Sequence, residues 1–372
     1  MRVWRRRAVT ALLAAAWMLP GPSAWGLVLR GGPINTNPPA GRLAGSGWDF
    51  IGRFESGGAQ GFAATPIAHR VLLTARHLGF AAGDVFRFQG QDWTVTERVD
   101  IAQSDLALGL VAGTFPGFAP LQGETNEVGA ACVLFGPGLI RGDPVHDADG
   151  ALRGWRWAAP VPAGLRWGTN VVARTLTVTN AFGVPGEVEL LAGDFVAPGG
   201  DELATWAVGD SGSPLFIATP HGWRLAGVAS AVDGPFTLTD DPGETPFDAA
   251  LFDGAGLWLA EPGVPRVRLP TVAGGNPTSW YASRIAPHLA RLREVIAATG
   301  GAPAIRIEGG RVSGEFAGAA GQGYDVQSSP DAGGPWTLLE EVLANAEGWV
   351  PWSDDLVPGG RLYRAVPVVG RK

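Results

Sequence analysis

Residues 209–214 read Gly209-Asp210-Ser211-Gly212-Ser213-Pro214, and the apolar run Leu215-Phe216-Ile217 follows directly. Glycine tolerates a strained backbone and, without a side chain, lets a substrate carbonyl come close. A serine between glycines on such a turn has a hydroxyl that can be exposed and aimed. The backbone N–H groups of Gly209 and Ser211 would point into one small space, where fixed donors stabilise a developing oxyanion. The simpler alternative is a glycine-rich β-turn in an all-β protein.

A histidine and an aspartate upstream occur in contexts that suit a partner for this serine. His77 ends the run Val71-Leu72-Leu73-Thr74-Ala75-Arg76-His77, whose apolar residues suit a buried strand. Asp105 lies in Ser104-Asp105-Leu106-Ala107-Leu108. The apolar residues after it would bury its carboxylate and leave an imidazole N–H as its natural partner. Asp100 is a neighbouring alternative, but the apolar run that follows it is shorter.

Together the three segments resemble the trypsin-like (chymotrypsin-fold) serine proteases, in which histidine, aspartate and serine follow in this order. The loop differs from the family's Gly-Asp-Ser-Gly-Gly-Pro only at Ser213. Near the histidine, Arg76 replaces an alanine and Leu78 replaces the usual cysteine, and neither change touches the imidazole. The resemblance covers residues 45–298, roughly; its three motifs are specific, and the strands between them are only compatible with it.

The resemblance implies a catalytic triad and an acyl-enzyme. Ser211 is the implied nucleophile, His77 takes its proton, and Asp105 fixes the imidazole tautomer. The N–H groups of Gly209 and Ser211 are the implied oxyanion donors. The chemistry requires no metal ion and no organic cofactor. In family members activated by cleavage, the carboxylate at Asp210 pairs with a freed N-terminal ammonium, but no convincing start of that type is present. We therefore expect internal contacts to hold the loop.

The resemblance also implies residues that bind the substrate. Thr205 stands six positions before the serine, where trypsin-type members carry the acidic residue that binds Arg or Lys. The segment Ser230-Ala231-Val232 matches the strand that lines the pocket, and Val232 replaces a glycine and would narrow the entrance. A buried cation without a counter-ion is costly, so we predict cleavage after small to medium apolar residues. The carboxylates of Asp201 and Glu202 would change this prediction if their loop is shifted.

The composition predicts an all-β protein with many turns. Gly and Pro number 56 and 30 among 372 residues, the hydrophobic fraction is 46%, and charged residues make up 17%. These values suit short strands around a full core and argue against disorder. With the resemblance, they predict two antiparallel six-stranded β-barrels closed by a C-terminal helix. Residues 280–298 carry apolar side chains spaced by three or four, which indicates one helical face, and Gly300-Gly301 ends it.

The character of the sequence changes after this helix. Residues 304–372 contain several short strand candidates and loosely resemble the small fibronectin-III-like β-sandwich modules of bacterial exported enzymes. We therefore predict a protease domain at 27–298, a linker at 299–303 and a small β-sandwich accessory domain at 304–372. The aromatic residues of the module are expected in its core rather than on a ligand platform; they are Tyr324, Trp336, Trp349, Trp352 and Tyr363.

Residues 1–26 are predicted to form a signal peptide. Arg2 and Arg5-Arg6-Arg7 precede an apolar stretch at 8–19, and small residues lead to a cleavage site at Ala24-Trp25-Gly26. The mature chain would begin near Leu27 and be secreted, periplasmic or held at the cell surface. Cleavage after Ala24 and a signal anchor that stays in the membrane are the alternatives.

The single cysteine, Cys132, excludes an intrachain disulfide and lies in an apolar run typical of a buried strand. The net charge of −7 argues weakly against a nucleic-acid surface. The expected partner is a protein or peptide substrate, with no nucleic acid and no membrane span after signal removal, while the oligomeric state is not readable. Two other functions stay open: an inactive protease homologue that acts as an extracellular binding or adhesion protein, and an esterase on the same fold.

Overall fold

The computed structural model describes residues 27–31, 35–158, 164–197, 199–220, 222–298, 304–317, 322–331, 334–344 and 349–368. The predicted signal peptide and the predicted linker, residues 1–26 and 299–303, lie outside the described residues. The chain divides into two compact units, Met1–Ile67 with Val71–Pro287 and Ala68–Arg70 with His288–Lys372. The C-terminal helix falls in the second of these units, and the domain boundary at residue 298 stays a prediction.

The first part of the chain forms a closed six-stranded barrel, as predicted for the first barrel. Its strands pair in the order β2-β3-β4-β7-β6-β5. The barrel is filled by phenylalanines. Phe54, Phe86 and Phe88 come from strands, whose alternate residues point inward, and the buried Phe80 and Phe115 come from connections between strands. The strands of this part are β1 (Val28–Leu29), β2 (Gly52–Phe54), β3 (Ala63–Ala68), β4 (Val71–Ala75), β5 (Val85–Phe88), β6 (Gln91–Asp100) and β7 (Leu106–Val111). Short 3-10 turns lie at Gly41–Leu43, Trp48–Phe50 and Arg76–Leu78.

The next part of the chain is built on a seven-stranded antiparallel sheet. The strands are β8 (Ala131–Gly136), β9 (Ile140–His146), β10 (Leu152–Ala158), β11 (Arg166–Val171), β12 (Arg174–Thr179), β13 (Glu187–Asp194), β14 (Ala204–Thr205), β15 (Pro214–Thr219), β16 (Gly222–Val232), β17 (Phe236–Thr237), β18 (Ala249–Leu251), β19 (Trp258–Leu259), β20 (Val267–Arg268) and β21 (Ser279–Arg284). The sheet order is β11-β8-β15-β16-β21-β13-β12. Its two end strands, β11 and β12, are separated in the chain by only two residues, and β12 pairs with β13.

The core of this sheet contains two tryptophans in edge-to-face contact. The ring centroids of Trp206 and Trp280 lie 5.3 Å apart at 74°, which is a favourable geometry for aromatic pairs. Cys132 is buried in the same cluster. Burial raises the pKa of its thiol, so the thiolate that would react is suppressed.

The Gly- and Pro-containing segment 138–162 is mostly strand over its described residues. Strands β9 and β10 pair as a hairpin, and β10 also pairs with β18. The guanidinium of Arg141 lies 3.8 Å from the ring centre of Trp155. Strand β18, which completes this sheet, lies much later in the chain at residues 249–251. In the segment 254–279, β19 and β20 pair with each other.

The C-terminal region contains the predicted helix and a small β-sandwich. A 3-10 turn at Ala286–His288 leads into helix α1 (Leu289–Ala298). The strands are β22 (Ala304–Glu308), β23 (Arg311–Ala317), β24 (Gly323–Ser329), β25 (Thr337–Leu343), β26 (Trp349–Asp355) and β27 (Leu362–Pro367). They form two three-stranded sheets, β22-β23-β26 and β25-β24-β27.

Side chains from both C-terminal sheets share one core, which includes Phe316, Val326, Val350 and Trp352. Tyr324 and Tyr363 pack against it, as expected for core aromatics, and Trp336 lies under the guanidinium of Arg364. The Trp349 side chain lies outside the described residues. Over the described part of the chain, no helix combines the length and apolar character that a membrane crossing requires.

Candidate active site

His77 and Asp105 meet because they lie just beyond the paired ends of two neighbouring strands. Strand β4 ends at Ala75 and β7 begins at Leu106, and these two residues are partners in the ladder. The ladder continues by one bond, from Arg76 N–H to the Asp105 carbonyl at 2.8 Å. The Asp105 carboxylate accepts the backbone N–H of His77 at Oδ1, 2.9 Å, and approaches His77 Nδ1 through Oδ2 at 2.7 Å.

The electrostatics of this pair fix which imidazole nitrogen is basic. The Asp105 side chain is fully buried and that of His77 is 14% exposed. Burial lowers the pKa of His77, but the charge of Asp105 and its hydrogen bond outweigh it, so the pKa lies above its usual value. Because a carboxylate only accepts hydrogen bonds, we assign the proton to Nδ1, which leaves Nε2 as the nitrogen that can take another proton.

The neighbouring alternative, Asp100, has other partners. Its carboxylate lies 3.1 Å from Arg76 Nε and 2.6 Å from Arg98 Nε. Arg98 also donates to the backbone carbonyl of Arg76 at 2.8 Å. Asp100 therefore binds Arg76 and Arg98, whereas Asp105 contacts the imidazole of His77.

Ser211 lies in the turn between β14 and β15, on a backbone that two glycines make possible. Gly209 and Gly212 have φ values of +92° and +81°, a region that a side chain would strain. The Gly212 N–H donates to the Ala229 carbonyl at 3.0 Å, and the Ala229 N–H donates back to the Ser213 carbonyl at 2.8 Å. The turn is thereby fixed to β16, and Ser211 remains partly exposed.

Two N–H groups of this turn have no acceptor among the described residues. Asp210, Gly212 and Ser213 donate backbone hydrogen bonds to carbonyls. Within the described part of the chain, the N–H groups of Gly209 and Ser211 donate none. These are the two donors expected for an oxyanion, and they are available to a ligand.

The Ser211 turn packs directly against the strands that lead to His77. A side chain at Gly212 would collide with the Ala63 carbonyl and the Thr74 hydroxyl, and would lie 2.9 Å from Leu78 Cδ1. The Thr74 hydroxyl donates to the Ala63 carbonyl at 2.8 Å. Because Gly212 and Leu78 each adjoin a candidate catalytic residue, the close approach brings the Ser211 and His77 turns together.

Asp210 is held by internal contacts, as expected from its sequence. Its buried carboxylate accepts the N–H of Gly138 at 2.6 Å and the N–H of Ala207 at 2.8 Å. Burial raises the pKa of Asp210 well above its usual range, while the two N–H donors and the charge of Arg166 oppose that rise. A side chain at Gly136 or Gly138 would collide with this carboxylate, so the two glycines form its cradle.

The four predicted substrate-binding residues occupy different surroundings. Thr205 is 2% exposed and pairs with Val28 in a two-stranded ladder. Ser230 is also buried, and its hydroxyl lies 2.9 Å from the Ser283 hydroxyl. Ala231 and Val232 are partly exposed and pack against different clusters, Val232 beside Trp206 and Trp280 and Ala231 on the other core cluster.

Comparison with known proteins finds no relative in sequence. No protein-family model matches the chain, and no curated protein matches it. Among solved structures, the chain is similar to neuropsin, a serine protease expressed in the limbic system of mouse brain, with 14% identity and a TM-score of 0.38. The match covers 67% of this chain and 94% of that chain. At this level the likeness concerns the fold alone and assigns no residue roles.

Three residues at the site were not identified from the sequence. The Phe182 ring lies over the His77 imidazole, with centroids 6.0 Å apart and planes at 24°. Gly138 and Arg166 belong to the surroundings of Asp210. The spacing Gly136-Pro137-Gly138 after a buried strand was a usable signal for a close backbone approach. The second usable signal was an aromatic residue, Phe182, between Asn180 and Gly183 in a turn.

Proposed function

We propose that the protein is an exported serine endopeptidase that hydrolyses peptide bonds through Ser211, His77 and Asp105. The observation that carries the proposal is the 2.7 Å contact between His77 Nδ1 and the buried Asp105 carboxylate. This contact orients a base, and the packing of Gly212 beside Leu78 brings the serine turn to it. A nucleophile, a base and a group that orients the base are the parts that acyl transfer needs.

In the proposed mechanism, Ser211 Oγ attacks the peptide carbonyl carbon while His77 Nε2 takes the hydroxyl proton. The N–H groups of Gly209 and Ser211 stabilise the negative oxygen of the tetrahedral intermediate. The intermediate collapses as the C–N bond breaks, and His77 gives its proton to the leaving amine. Water then attacks the acyl-enzyme with the same base, which restores Ser211 and releases the acid.

Asp210 would keep the serine turn in its working shape without a cleaved N-terminus. Its two carboxylate oxygens already accept the N–H groups of Gly138 and Ala207. A freed ammonium is therefore not needed to complete its hydrogen bonding. Export, with removal of the predicted signal peptide at residues 1–26, is part of this proposal.

The proposed cleavage preference is for small to medium apolar residues before the scissile bond. Thr205 supplies no charge for a basic side chain, and Val232 lies against a cluster that contains Trp206 and Trp280. Preferred cleavage after Arg or Lys in a peptide library would contradict this part of the proposal and leave the rest intact.

The decisive test combines a fluorophosphonate probe with two serine variants of the mature protein. Ser211→Ala should lose labelling and lower kcat for a peptide by a factor on the order of 10⁵–10⁶. Ser213→Ala is the matched control, since Ser213 lies in the same turn and its buried hydroxyl has no hydrogen-bond partner in the described structure. It should keep labelling and activity.

Two results would redirect the proposal. A folded wild-type protein that neither reacts with the probe nor cleaves peptides would indicate the inactive homologue that binds other proteins. Labelling at Ser211 with turnover of esters but not of peptides would indicate an esterase that uses the same residues.

A further inference from the structure

The turn between β12 and β13 places an aromatic side chain in a backbone conformation that favours glycine. Phe182 has a φ of +55°, as does Asn180. Asparagine adopts this left-handed region readily, but a bulky residue seldom does. Such strain persists only where the surrounding structure enforces it, and it is concentrated at functional sites.

The residues on both sides of Phe182 are held by burial and by hydrogen bonds, which limits where its ring can lie. Ala181 and Val184 are buried in the core cluster beneath the turn. The Val184 N–H donates to the Ala181 carbonyl at 2.8 Å, and the Asn180 N–H donates to the Gly186 carbonyl at 2.8 Å. The turn therefore presents the Phe182 side chain in one place.

The Phe182 ring lies against the face of the His77 imidazole. The two rings are 6.0 Å apart between centroids and nearly parallel, at 24°. Phe182 packs against the same cluster as Ala231, and both are partly exposed. Phe182, which covers the imidazole, and Ala231 of the strand segment 230–232 are thus partly exposed apolar residues on the same core cluster.

The next step rests on the proposed function. A peptide that pairs with residues 230–232 in extended form directs successive side chains to opposite sides. Val232 and Ala231 pack against different clusters, so the strand has two distinct apolar sides. If the residue before the scissile bond faces the Val232 side, the residue before that one faces Ala231, Phe182 and His77.

We propose that Phe182 determines specificity for the substrate residue that immediately precedes the cleaved residue. The side chain of that residue would lie on the Phe182 ring beside His77. Proline and medium aliphatic side chains fit this surface, because they lose water favourably against an aromatic face. A carboxylate would lose water there without a partner from Phe182 or Ala231, whereas an ammonium group would gain only a cation–π contact with the ring.

The test compares peptides that are identical except at this position, which carries Pro, Leu, Lys or Glu. For the wild-type protein we expect kcat/KM for Pro or Leu to exceed that for Glu by about 10–200-fold, the range of one apolar contact. Phe182→Gly should reduce this ratio about tenfold or more, and it should fold, because glycine accepts the φ of +55°. Phe182→Leu, which stays apolar, should retain part of the ratio.

Leu176→Ala is the matched control. Leu176 packs against the same cluster as Phe182, so its loss reproduces the change in packing without removing the ring from the imidazole. This variant should keep the wild-type ratio, and thermal unfolding by circular dichroism should show that all three variants are folded.

The outcomes separate this inference from the proposed function. If the wild-type protein cleaves the peptides and Phe182→Gly keeps the wild-type ratio, the inference is wrong and the peptidase stands. An equal increase for all four peptides in Phe182→Gly would also overturn it, because the ring would then be a lid. If the wild-type protein cleaves no peptide and Ser211 does not react with fluorophosphonate, the proposed function fails and this inference fails with it.

Discussion

Asp105 and Asp210 are two aspartates with the same burial and different partners. Both side chains are fully buried, and each carboxylate accepts two N–H groups through its two oxygens. For Asp105 one of the donors is the imidazole of His77. For Asp210 both donors are backbone N–H groups, from Gly138 and Ala207.

The difference shows that burial alone does not decide what a carboxylate does. An imidazole can move its proton between two nitrogens and can become charged, so its carboxylate influences a reaction. A backbone N–H can do neither, so its carboxylate influences only the shape of the chain. Asp105 is therefore proposed to act on proton transfer, and Asp210 on the position of the Ser211 turn.

Asp105→Asn should give the largest effect on activity and a small effect on stability. The carboxamide can donate to His77 Nδ1, which moves the imidazole proton to Nε2 and removes the base. We expect kcat/KM for a peptide to fall by about 10⁴-fold, as for a triad with the wrong tautomer. The melting temperature should remain near that of the wild type, because the imidazole tautomer adapts and no buried donor is left unpaired. Activity within tenfold of the wild type would remove Asp105 from the mechanism.

Asp210→Asn should have a small effect on activity and a large effect on stability. The carboxamide has one oxygen for two backbone donors, and its NH₂ group faces the second N–H. An unpaired buried donor costs about 1–3 kcal/mol of unfolding free energy, and neither Gly138 nor Ala207 can adapt. The measurements are thermal unfolding and kcat/KM of the same preparation. A melting temperature that does not change would show that Asp210 is not the structural member of the pair.

The same pair explains which parts of the site could be predicted from sequence. Asp105 and His77 lie 28 residues apart, each beside an apolar strand, and the two strands pair in one ladder. Their contact was expected from the resemblance of both segments to the motifs of the trypsin-like proteases. One of the two partners of Asp210 is the nearby Ala207, but the other, Gly138, lies 72 residues away, and nothing in the sequence connects these two segments.

Long-range pairing also limits what was predictable in the fold. The all-β class follows from composition and the C-terminal helix from periodicity, whereas the first barrel and the small sandwich were expected from resemblance to known families. The sheet of β9, β10 and β18 could not be predicted in this way, because β18 at residues 249–251 lies far from the hairpin in the chain. The position of Phe182 over His77 depends on a turn of another strand pair, and nothing in the spacing of either residue specifies that contact.

The pH dependence of activity gives the smallest effect and the sharpest distinction between the two aspartates. His77 must be neutral to accept the Ser211 proton, so activity rises with pH as the imidazolium loses its proton. The charge and hydrogen bond of Asp105 outweigh burial and raise the pKa of His77 above 6.5. The midpoint of kcat/KM against pH should therefore lie above pH 6.5 in the wild-type protein.

Replacing Asp105 with asparagine should move this midpoint, and replacing Asp210 with asparagine should not. In Asp105→Asn the attraction is lost and burial remains, which favours the neutral imidazole, so the midpoint of the residual activity should fall below pH 6.5. Asp210 does not contribute to the pKa of His77, so Asp210→Asn should keep the wild-type midpoint at a lower rate. The experiment is kcat/KM for one uncharged peptide from pH 5 to 9 for the three proteins. A midpoint that falls in Asp210→Asn, or stays in Asp105→Asn, would reverse the roles assigned to the two carboxylates.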